Sequence, residues 1–90
     1  MLKVVIEIPR TTCTPERLIR LFEAGYDTDG QIHSLEDIVV KSGYCLPTEH
    51  TDDYGRTCFG FRHEQYVKMF LNYTDAVAEE ILFLHEHKMI

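Results

Sequence analysis

The sequence predicts an α+β fold: a small, mainly antiparallel sheet, with elements in the order β-α-α-(β)-β-α, packed against a long C-terminal amphipathic helix. Three observations carry this expectation. Residues 2–8 and 57–61 alternate at the two-residue period of a half-buried strand. Two short segments between them open on helix-starting residues and close on glycine. Apolar residues in the last third recur at the spacing of one helical face.

In the first strand, Leu2, Val4, Ile6 and Ile8 point one way and Lys3 and Glu7 the other, with Val5 the exception, and Pro9 ends the run. Thr14, Pro15 and Glu16 supply a hydroxyl cap, a first-turn proline and a first-turn acid. The helix they open carries Leu18, Ile19, Leu21 and Phe22, and Gly25 stops it. Tyr26 to Gly30 reads as a turn. Ser34 is placed to cap a short helix over 35–41, closed by Gly43. Residues 45–54 are polar and hold Pro47, Asp52 and Asp53, so they read as a loop with room for a short edge strand. Gly55 then turns the chain into the second strand, where Thr57, Phe59 and Phe61 alternate with Cys58 and Gly60.

Residues 64–89 read as one helix. At about 100° per residue, Tyr66, Phe70, Tyr73, Val77, Ile81 and Leu84 share an arc, which Val67, Leu71, Ala78 and Leu82 widen. Lys68, Asn72, Asp75, Glu79 and Glu86 line the opposite side. Such a helix would run roughly 37 Å, longer than the ~31 Å width of a compact domain of this size. It should therefore kink near Thr74 or project and seek a partner, for which a homodimer is the simplest closed arrangement. Met69, Ala76 and Phe83 recur every seven residues on its flank. With Asp75 and Glu79, they are the expected partner-binding residues.

Composition narrows the function classes. A chain of 90 residues makes a single domain, spanning 1–90. Fifteen acidic against nine basic residues, a net charge of −6, disfavours direct nucleic-acid binding and suits docking on a basic protein surface. No apolar run approaches the ~20 residues of a membrane span. Three cysteines at ordinary density point to a reducing, cytoplasmic setting.

Two chemical alternatives are legible. Cys45, His50, Cys58 and His63 form C-x4-H-x7-C-x4-H, the donor types that tetrahedral zinc prefers, but without the C-x2-C knuckle of a standard finger. Cys13 precedes a helix N-terminus near Arg10 and Arg17, surroundings that lower a thiol pKa. The stretch Val4-Val5-Ile6, Cys13-Thr14-Pro15-Glu16 and Gly25-Tyr26-Asp27 resembles the opening of glutaredoxin-like redoxins. Leu46-Pro47 stands where that family has its cis-proline, and Gly60-Phe61 near its ligand loop. The resemblance implies a monothiol site at Cys13, because Glu16 replaces the resolving cysteine. Thr48-Glu49-His50-Thr51 departs from it, being polar where that fold has a buried central strand.

The helices over 15–24 and 35–41 are too far apart for a helix-turn-helix, and the second opens on acids. The Asp27-Asp29-Gly30 turn lacks the bidentate Glu of a calcium loop, Ile38 standing at that place. No catalytic constellation is legible, and no cofactor is expected. The resulting expectation is a small, acidic, non-enzymatic protein-binding module. Its role would be that of an inhibitor or adaptor covering a basic surface, as a virus-encoded factor directed at a host protein would be.

Overall fold

Over residues 11–90, which the computed structural model describes, the order is α1 (Pro15–Glu23), α2 (Ile32–Lys41), β1 (Thr48–Thr51), β2 (Thr57–His63), β3 (Tyr66–Phe70) and α3 (Tyr73–Glu86). The strand expected at 2–8 lies outside the described residues. The α+β class, the antiparallel sheet and its packing on a C-terminal helix are as the sequence predicts.

Helix α1 begins at Pro15, whose missing N–H costs nothing in a first turn. The Thr14 hydroxyl does not cap the helix; its Oγ1 accepts from Arg17 Nη1 at 3.1 Å. At the other end the Gly25 N–H donates to Phe22 O and the Tyr26 N–H to Leu21 O, with Gly25 at φ 96°. That left-handed residue closes the helix without a Cβ clash. Helix α2 starts at Ile32, earlier than a Ser34 cap would allow, because its first turn is anchored from outside. The Ile32 N–H donates to Thr11 O at 2.8 Å, and Thr12 bridges Gln31.

The expected short edge strand is β1. It pairs antiparallel with β2, Thr48 opposite Gly60 and Thr51 opposite Thr57. Asp52 shapes the connection: Oδ1 accepts from the Tyr54 and Arg56 N–H groups, and Oδ2 from Arg56 Nε. These donors, the Arg56 backbone first, hold its carboxyl below the ordinary range.

The long helix needs correction at its N-terminal end. Residues 66–70 are not helical; they form β3, antiparallel to β2, with His63 opposite Tyr66 and Phe59 opposite Phe70. Glu64, at φ 56°, turns the chain back between them. Tyr66 and Phe70 are four residues apart, a spacing that satisfies a strand and a helix equally. Pairing with Phe61 decides it: its ring stacks on both Tyr66 and Phe70, at 6.0 and 6.2 Å between centroids. Helix α3 starts where Asn72 caps it, its Oδ1 accepting from the Asp75 N–H at 3.2 Å. Fourteen residues make a helix of only about 21 Å. The surplus length from which a homodimer was expected is therefore absent.

Helix α3 is buried on every side from Thr74 to Leu84. On one side Val77, Ala78, Ile81 and Leu82 pack with Cys13 and with Leu21, Leu35 and Val39 of α1 and α2. On the other, Phe83 and Leu84 pack with Phe61 of the sheet. The helix is thus the centre of the fold, with layers on both sides, and has no solvated face along this stretch.

Candidate functional site

Burying α3 from Thr74 to Leu84 also buries Asp75, Glu79 and Glu80, and their partners divide them into two groups. Glu79 faces α1, where its Oε1 accepts from Arg17 Nε at 2.9 Å and Arg20 Nη1 at 2.6 Å. Asp75 Oδ1 accepts from the Thr14 N–H at 2.9 Å and lies 3.7 Å from Arg17 Nη1. These carboxylates join two helices. The expectation that Asp75 and Glu79 form a solvated partner-binding face is overturned, because both are buried against α1.

Glu80 is different. It is 1% exposed and faces the sheet, where its Oε2 lies 2.9 Å from His63 Nε2. Its Oε1 is buried with no hydrogen-bond partner among the described residues. Burial pushes the carboxyl up to about 7 and pulls the His63 imidazole below its ordinary value. Each shift favours the uncharged form. Beside this pair lies a cavity of about 210 Å³, lined by Cys45 and Leu46 before β1, Thr48 of β1, Gly60 to His63 of β2, and Glu80. The His63 ring is held by Tyr44, edge-on at 5.6 Å, and by Phe83, stacked at 5.3 Å. Glu80 and His63, fixed in a cavity, are the most distinctive polar arrangement among the described residues, and they are the candidate site.

The pair has a testable pH signature. A carboxyl that titrates at about 4.5 unfolded and about 7 folded binds an extra proton in the folded state between those values. Its stabilisation is complete below about pH 4.5 and is lost as pH rises to about 7, a change of order 3 kcal/mol. His63 acts oppositely, since its lowered value costs stability as pH falls below about 6.5. Subtracting the urea-unfolding profile of Glu80→Gln from that of the wild type isolates the glutamate. The difference should fall between pH 4.5 and 7; a flat difference would mean that the carboxyl is solvated.

The other expected site residues are dispersed. Ala76 is buried, and Phe83, at 8% exposure, is enclosed by Tyr66 at 4.1 Å and His87 at 4.0 Å. Neither forms an exposed flank. Met69 is exposed, but on β3, so the seven-residue recurrence does not describe one helix surface. Cys45 is exposed while Cys58 is buried, with its Sγ donating to His50 O at 3.5 Å. Cys45, His50, Cys58 and His63 are not gathered, and the described residues contain no group of three or more potential metal ligands. His63 faces Glu80 instead.

Cys13 is 4% exposed, and burial, then Asp75, push its thiol up, opposite to what a redox nucleophile needs. Thr48–Thr51 is exposed along its length and, among the described residues, stands at the edge of the sheet rather than at its centre as in a redoxin, and no cis peptide bond occurs among those residues. No described helix is long and apolar enough to cross a membrane.

Sequence reasoning missed Glu80. The only signal available was an acid between Glu79 and Ile81 on a helix whose other residues are mainly apolar. Searches against protein-family models, curated proteins and solved structures find no match for this chain.

Proposed function

We propose that the protein is a small, acidic, non-enzymatic module that binds another protein, docking the outer face of α1 into an apolar groove rimmed by basic residues. The observation that carries this reading is the exposure of Phe22, 72%, and Ile19, 59%, one turn apart on α1. At 100° per residue, exposed Glu16 and Glu23 continue the same face. Two apolar anchors bordered by acids are the pattern of an amphipathic helix that enters a groove. The net charge of −6 favours a basic partner, as an inhibitor or adaptor of such a protein requires. Asp75 and Glu79 contribute by fixing α1 against the core rather than by touching the partner.

The test places a photo-crosslinking amino acid at position 22, identifies the captured protein and measures binding of the purified pair. Phe22→Glu should weaken binding at least about tenfold while leaving stability within about 0.5 kcal/mol, as for other exposed positions. Added salt should slow association more than it speeds dissociation, because exposed charges are screened beyond about 8 Å at physiological ionic strength. A partner that binds Phe22→Glu as tightly as the wild type would remove α1 as the docking face.

A further inference from the structure

We infer that the cavity between the residue 45–48 segment, β2 and α3 is a receptor for one alkylammonium or alkylguanidinium group, the side-chain end of a lysine or arginine supplied by the partner, with the buried Glu80 Oε1 as its acceptor. The inference rests on the reading that the protein binds a basic protein, and it names the chemistry of a second contact.

The argument starts from the orphaned oxygen. Native structures give nearly every buried polar atom a partner. Glu80 is 1% exposed, its Oε2 is held at 2.9 Å from His63 Nε2, and its Oε1 has none among the described residues. Glu80 is one of the residues lining a cavity of about 210 Å³, from which an incoming donor would approach. A neutral His63 with its proton on Nε2 donates to Oε2. A cationic N–H donor at Oε1 then completes the carboxylate with a charge-assisted bond. Bringing that cation in favours the ionised form of a carboxyl that burial otherwise keeps protonated up to about pH 7.

The walls suit an aliphatic stem. Leu46 and Phe61 are apolar, and Gly60 presents no side chain. Thr48 and exposed Cys45 contribute to the lining. The groups facing Glu80 from the packed elements include His63 and Arg62 of β2, Cys45, and Tyr73 of its own helix. Of these only Arg62 carries a fixed positive charge, and its Nε is turned to Glu64 O on the exposed side.

The test is an NMR titration of the full chain with n-butylammonium, a lysine side-chain mimic, and with 1-butanol, its neutral counterpart. Butylammonium should give saturable shifts at Leu46, Thr48, Gly60 and His63, at least tenfold tighter than butanol, and Glu80→Gln should abolish that preference. Equal responses to the two probes, or unsaturable shifts with butylammonium, would overturn the inference and leave the cavity to water. Should Glu80→Gln fail to fold, the two-probe comparison on the native chain still decides. Phe22→Glu should leave butylammonium binding unchanged, so failure of the pocket and failure of the α1 docking face are read separately.

Discussion

Ile81→Ala is expected to lower the unfolding free energy by about 2–5 kcal/mol, measured by urea unfolding followed by circular dichroism. Ile81 has no exposed surface and stands mid-helix in the cluster that joins α3 to Leu21 of α1 and to Leu35 and Val39 of α2. Truncation removes the transfer energy of three carbons and leaves a void that two rigid helices cannot close. Small domains have only about 5–15 kcal/mol to lose. The wild-type midpoint should therefore fall sharply while the slope with denaturant stays constant. A loss under about 1 kcal/mol would mean that the α1–α2 layer does not rest on this face of α3.

Phe83→Glu is expected to unfold the chain at neutral pH. The ring lies within stacking distance of Tyr66, His87, His63 and Phe61, and thereby holds the β2–β3 hairpin to α3. Removing a buried phenylalanine costs about 3–5 kcal/mol, and an unpaired carboxylate in its place adds desolvation. Glu80, already buried one turn away, makes a second carboxylate there costlier still. Phe83→Leu should stay folded with a modest loss, which separates volume from charge. A dispersed amide spectrum for Phe83→Glu would show that the hairpin holds without its aromatic anchor. Of the flank expected to mediate assembly, Ala76 and Phe83 are core, while Met69 is exposed on β3, the strand that occupies the chain a longer helix would have used.

The connection between sequence and structure is clearest where a residue's own backbone chemistry decides. Pro15 and Gly25 bracket α1, Gly43 follows α2, and the strand read over 57–61 lies within β2. These signals are local, and each appears where it was read. The segment 66–70 was misread because Tyr66 and Phe70 fit two periods at once. One cue that breaks the tie was present: Asn72 with Asp75 three residues on is an N-terminal cap pattern. The candidate site was less legible. Nothing in Glu79 and Glu80 themselves says that the first will meet two arginines and the second a histidine.

By itself the sequence determined the α+β class, the proline start and glycine stop of α1, the short strand before Gly55 and the net acidic charge. Only the tertiary structure decided that α3 is enclosed on all sides, that Asp75, Glu79 and Phe83 are interior, and that Glu80 lies beside a cavity with one oxygen unpaired among the described residues. The reason is physical. Caps and alternation depend on neighbours in the chain, whereas the burial of a charged side chain depends on what packs over it from residues far away in sequence, here 17 positions for His63 and about 60 for Arg17 and Arg20.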